Sequence, residues 1–134
     1  MAIASYSELL AEAHNWPTPQ RLLFVFTKAE LPDNPDTQQR EDFEQGEGGV
    51  LTPILCVDKS LSELSDMASL VAESQRTGVT WDIVFVAALA GDGVNPPTSE
   101  EAERPLQRMV EALQMGSIDN FLAFDHHGDA VDIQ

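Results

Sequence analysis

The sequence predicts one α/β domain, a sandwich with a mixed, mainly parallel sheet of about five strands and a C-terminal β-hairpin. Three observations lead there. Residues 81–90, WDIVFVAALA, run from Ile83 to Ala90 without a polar side chain, the pattern of a strand covered on both faces. Residues 21–27, RLLFVFT, repeat that pattern. Strand-like runs also alternate with helix-like ones, which favours crossover connections and parallel pairs.

Taken in order, the chain opens with a short helix over residues 5–14. Ser5 and Glu8 form a capping-box pattern, with Leu9, Leu10 and Ala13 on one face. Two prolines, Pro17 and Pro19, end it, since a residue before proline is pushed out of the α region, and Trp16 is expected to pin the turn. After the strand at 21–27, Leu31-Pro32-Asp33-Asn34-Pro35 reads as loop. Residues 36–45 read as a loosely docked helix with an Asp36 to Gln39 cap and Phe43 as its one large apolar residue. A flexible Gly46-Glu47-Gly48-Gly49 link leads to a third strand at 50–57, VLTPILCV, where Pro53 implies an edge or a strand start.

Residues 60–77 form the best-specified helix, with Ser60 and Glu63 as its capping box. Its stripe is Leu61, Leu64, Met67, Ala68 and Val71, and Gly78 is its C-cap. Residues 81–90 are then the central strand, with Val84 and Val86 on one face and Phe85 on the other. Thr98 and Glu101 cap a helix running to about Met115, striped by Leu106, Met109, Val110 and Leu113. Pro105 predicts a kink there, or a separate first turn. Residues 121–124 and 130–133 flank the turn Asp125-His126-His127-Gly128-Asp129 as the terminal hairpin.

The 134 residues suit one domain, long enough to bury roughly two-thirds of the surface of its unfolded chain. Seven Lys plus Arg against 23 Asp plus Glu give a net charge of -16. Binding to nucleic acid or to anionic lipid needs Lys and Arg to displace counterions, so neither partner is expected. No apolar run approaches a membrane span, and the first residues lack a basic signal-peptide region, so the expected location is cytoplasmic. The single cysteine, Cys56, excludes an internal disulfide. Flanked by Leu55 and Val57 with no cationic neighbour in sequence, it reads as an inert buried thiol.

In a mainly parallel sheet the strand C-terminal ends gather on one side, where open α/β sheets bind ligands. The residues there would be Lys28, Glu30, Asp58, Lys59, Asp92, Asp125 and His126, offering carboxylates for a hard cation or proton transfer and lysines for an anion. Polar residues follow nearly every strand of such folds. His126-His127 lacks a ligand spacing and reads as a solvated turn, and His14 as a helix-end residue. Neither Gly46-Glu47-Gly48-Gly49 nor Gly91-Asp92-Gly93 meets the requirements of a phosphate loop.

The stretches PQRLLFVFTKAELP, EGGVLTPILCVDK, WDIVFVAALAG, PLQRMVEAL and FLAFD resemble a family of short, uncharacterised bacterial proteins, some of whose members are labelled ribonucleotide reductase subunit alpha. That catalytic subunit needs several redox-active cysteines, whereas this chain has one. The resemblance therefore implies no activity and carries over no catalytic residue. The reading that remains is a non-catalytic module that binds or regulates a protein partner, without a cofactor. The alternative is a small enzyme or divalent-metal domain built on the strand-end residues. An uncovered C-terminal edge strand would also allow a homodimer.

Overall fold

A computed structural model describes residues 3–30, 37–44, 50–91, 94–115 and 121–131. The expected loop at 31–35, the Asp36 cap, the Gly46–Gly49 link, Asp92 and the hairpin residues 132–133 lie outside the described residues.

The strands are β1 (Gln20–Glu30), β2 (Val50–Ser60), β3 (Ile83–Ala90) and β4 (Leu122–Phe124), and the helices are α1 (Tyr6–Ala13), α2 (Thr37–Glu44), α3 (Met67–Gln75) and α4 (Ser99–Gln114). The sheet order is β2-β1-β3-β4. Every pairing is antiparallel, which corrects the expected mainly parallel, five-stranded sheet. Unbroken apolar strands report that both faces are covered, and say nothing about strand direction. β2 and β3 do run the same way, joined by a crossover through α3, but β1 occupies the slot between them and opposes both.

The two covers are visible in how the strands divide their side chains. Leu22, Phe24 and Phe26 of β1, with Val84 and Val86 of β3 and Phe124 of β4, pack against Tyr6, Leu9 and Leu10 of α1 and Met67 and Leu70 of α3. Leu23, Val25, Phe85 and Ala123 point the other way, against Ala102, Leu106, Met109 and Leu113 of α4. Each such leucine, valine, methionine or phenylalanine side chain, fully buried, stabilises the fold by roughly 1.5–3 kcal/mol. The expected disposition of Val84, Val86 and Phe85 is therefore the observed one.

The expected hairpin is only partly built. Beyond β4, the chain turns through Asp125–Asp129 and returns as isolated bridges rather than a fifth strand among the described residues. Asp125 Oδ1 accepts from the backbone N–H groups of His127 (2.8 Å) and Asp129 (3.1 Å), closing the turn. The N-terminal segment then covers it. Tyr6 N–H donates to the Gly128 carbonyl at 2.7 Å, Ala130 N–H donates to the Ala4 carbonyl at 2.9 Å, and Ser5 bridges Asp129. The chain's own start thus pairs with Asp129 and Ala130, where the described part of that C-terminal edge begins.

Local chemistry sets the helix limits. Ser5 Oγ accepts from Glu8 N–H at 3.2 Å, while the Glu8 carboxylate takes the Ala4 N–H at 2.8 Å. The expected helix at 60–77 is divided. The Ser60 and Glu63 capping box forms, but it caps only a 3-10 turn at Leu61–Glu63, and Leu64 is extended. Asp66 then accepts from Ser69 N–H at 2.8 Å and starts α3 afresh. α4 carries the Thr98 and Glu101 capping box and is one helix through Pro105, so of the two expected alternatives, a kink or a separate first turn, the separate turn is not formed.

Tyr6 is 1% exposed, and its hydroxyl has no hydrogen-bond partner among the described residues. Burial, reinforced by the negative charges of Asp66 and Glu73, pushes its ionisation well above the ordinary range of phenols. The unfolded chain's phenol ionises from about pH 10, so stability linked to this group is intact below that pH and is lost as pH rises above it. Because Tyr6 is the only tyrosine, tyrosinate absorbance should appear together with alkaline unfolding. A reversible titration with an ordinary midpoint in folded protein would contradict the buried placement.

Candidate functional site

Antiparallel pairing separates the residues that a parallel sheet would have gathered. Lys28 is exposed near the end of β1, and Glu30 ends that strand opposite Val50. Asp125 and His126 follow β4, whose Phe124 faces Val84, so they lie toward the same end of the sheet as Lys28 and Glu30. Asp58 and Lys59 pair with Leu23 and Leu22, at the opposite end. Asp92 lies outside the described residues. Both pairs within β1 and β2 are also strand residues, not residues beyond a strand end, because β1 and β2 run to Glu30 and Ser60.

Most of these side chains are already engaged. Arg21 Nε donates to Asp58 Oδ2 at 2.6 Å and its Nη2 approaches the same oxygen at 2.5 Å, with both side chains less than a fifth exposed. Lys59 pairs with Glu73 of α3. His126 Nε2 lies 2.5 Å from the Trp81 carbonyl oxygen, and its ring stands edge-on to the Trp81 indole at 4.2 Å. Asp125 closes its turn. Among the described residues no three or more His, Cys, Asp or Glu side chains are grouped so as to hold a metal ion.

What the sheet does present is an edge. β2 is the outermost strand, and among the described residues no strand pairs with its outer side. Pro53 lies on this strand, as expected, and its neighbour Ile54 is the extra residue where the register with β1 shifts between Phe26 and Thr27. A proline and a bulge are two of the devices that discourage strand pairing, and both lie in the first half of β2. The half from Leu55 to Ser60 has neither.

This second half is flanked by a hollow on each face. Cys56 and Asp58, opposite Val25 and Leu23, face the α4 side, and with Ser99, Glu100, Glu103, Leu106, Gln107 and Val110 they line a cavity of about 640 Å³. Leu106 and Val110 supply its apolar lining and Glu100 and Glu103 its charge. Neither glutamate forms a salt bridge among the described residues, whereas Asp58 is neutralised by Arg21. Glu63, 4.0 Å from Arg21, adds negative charge nearby and is held below the usual carboxylate range by the Ser60 backbone N–H and hydroxyl, with Arg21 a smaller cause. On the α3 side, Phe26, Leu55, Val57 and Leu70 line a smaller cavity of about 70 Å³, bordered by the Lys59 and Glu73 pair.

Cys56 is exposed, which corrects the expectation of a buried thiol. Its apolar neighbours Leu55 and Val57 face α3, and strand alternation sends Cys56 to the α4 side, outside the helix's covered strip. A thiol reagent is therefore expected to modify Cys56 stoichiometrically in native buffer. Labelling that required denaturant would return Cys56 to the core.

A third cavity, about 530 Å³, lies between the end of β3 and the start of α4, lined by Gly91, Pro96, Pro97, Thr98 and Glu101 among others. It does not suit phosphate, because the Thr98 hydroxyl and Glu101 carboxylate already satisfy each other's backbone N–H groups and Glu100 and Glu101 are anionic. No helix among the described residues is long and apolar enough to cross a membrane. Comparison with family models, curated proteins and solved structures gives no match to this chain.

Proposed function

We propose that this protein is a non-catalytic binding module that takes a basic protein segment into the hollow between β2 and α4. The observation that supports this reading most is the pairing of an apolar lining, Leu106 and Val110, with two carboxylates, Glu100 and Glu103, that have no cation of their own among the described residues. Lysine and arginine suit such a lining, because their aliphatic stems cover apolar surface while the charged heads reach the rim. The net charge of -16 adds a long-range attraction for basic partners and speeds their encounter. A catalytic or metal reading of the strand-end residues has less support, since Asp58 and Asp125 lie at opposite ends of the sheet.

Peptide display tests this directly. Basic sequences should be enriched on the wild-type protein, and the Glu100→Lys/Glu103→Lys variant should lose them. Partly exposed ion pairs are worth up to about 1 kcal/mol each, so the double reversal should weaken a selected basic peptide by about tenfold or more at low salt. Equal retention of basic and acidic peptides, or indifference to the double reversal, would overturn the proposal.

A further inference from the structure

We infer that the partner segment binds as an added strand on the Leu55–Ser60 half of β2, and that it is recognised by alternation, with small aliphatic side chains toward α3 and basic side chains toward α4. The inference rests on the proposed function and specifies its mode.

Side chains on a strand alternate between faces, and a strand added to a sheet edge keeps that alternation in step with its neighbour. On the open half of β2, Leu55, Val57 and Lys59 border the α3-side cavity, whereas Cys56 and Asp58 border the α4-side cavity. An incoming strand therefore meets two different hollows with a period of two residues. The α3-side space, about 70 Å³ and walled by Phe26, Leu55, Val57 and Leu70, takes a small aliphatic group. The α4-side space, about 640 Å³, takes a long stem over Leu106 and Val110 with its cation at Glu100 and Glu103. Main-chain hydrogen bonds to the open edge supply affinity that does not depend on sequence, and the two hollows supply the selection.

Charge decides between the possible occupants of this edge. A second copy of the chain would bring another net charge of -16, including its own Glu100 and Glu103, against the same rim. A basic segment from another protein relieves that repulsion. Pro53 and the bulge at Ile54 mark where the docked strand stops, confining it to the second half of β2.

Capped peptides of about eight residues provide the probes, a length close to that of ordinary strands. One alternates lysine and valine, one has the same composition in two blocks, and one alternates glutamate and valine. Two further versions of the alternating peptide carry N-methyl groups on every valine nitrogen or on every lysine nitrogen. In an extended strand these two sets of N–H groups point to opposite edges, so only one set can reach β2. By titration calorimetry at low salt, the alternating lysine–valine peptide should bind at least about tenfold tighter than the block peptide. One N-methyl version should lose about tenfold or more and the other should stay within about twofold. Equal binding of the alternating and block peptides, or equal effects of the two N-methyl patterns, would overturn strand addition and leave a charge-selective hollow. Lysine peptides no tighter than the glutamate peptide would overturn the proposed function as well. A stable dimer in sedimentation that the lysine–valine peptide fails to dissociate would assign the edge to a second copy and also overturn the inference.

Discussion

Val84→Asp is expected to leave little cooperatively folded protein. Val84 is fully buried in β3, paired with Phe26 of β1 on one side and Phe124 of β4 on the other, in the cluster that includes Tyr6 and Trp81. A carboxylate there has no cation partner, and an uncompensated buried charge costs about 3–5 kcal/mol before the lost valine packing is added. Against a total stability of roughly 5–15 kcal/mol that is enough to unfold a large fraction of the protein. Ala88→Asp, at an exposed position on the same strand, is the control and should stay within about 0.5 kcal/mol of wild type in urea denaturation. Equal melting of Val84→Asp and wild type would refute the placement of β3.

Gly128→Val should be nearly as damaging, by a different route. Gly128 has φ +82°, and a Cβ added there would stand 3.1 Å from the Met67 Cβ and 3.4 Å from the Tyr6 Cβ. The left-handed backbone costs a side-chain-bearing residue about 1–2 kcal/mol, and overpacking adds about 1–3 kcal/mol. Gly128 also accepts the 2.7 Å hydrogen bond from Tyr6 N–H, so displacing it loosens the C-terminal turn from α1. Gly78 separates the two terms, because it has φ +77° with open space around its added Cβ. Gly78→Ala should therefore show the backbone cost alone, and the excess at Gly128→Ala should report the close approach of the added Cβ. Equal losses at the two positions in urea denaturation would contradict the close approach of Gly128 to Met67 and Tyr6.

How much of this was legible beforehand differs from element to element. The inner strands were, because Leu22 to Phe26 and Val84 to Val86 are buried on both faces and an unbroken apolar run is the direct signature of that. The apolar stripe of α4 was legible for the same kind of reason. Strand direction was not, since a helical crossover fixes β2 and β3 as parallel to each other but does not say whether another strand lies between them. The strand-end grouping depended on it: Asp58 and Lys59 lie at one end of the sheet, and Lys28, Glu30, Asp125 and His126 toward the other. The exposure of Cys56 was not legible, because VLTPILCV has the apolar content of an inner strand, although Pro53 pointed to an edge or a strand start. The division of the helix at 60–77 had a visible signal in Asp66 three residues before Ser69, masked by the stronger Ser60 and Glu63 box. The two hollows beside β2 had no sequence signal, since they arise from where α3 and α4 come to rest against an edge strand.

Amide hydrogen exchange of the full chain, with and without the alternating lysine–valine peptide, tests the docking edge most directly. Backbone N–H groups that gain a ladder partner exchange more slowly. Exchange should slow by at least about tenfold at alternate amides between Leu55 and Ser60, with little change at Leu51 or along β3 and β4. Unchanged exchange between Leu55 and Ser60, together with slowing around Gly91 and Thr98 or anywhere else on the surface, would contradict docking at this edge.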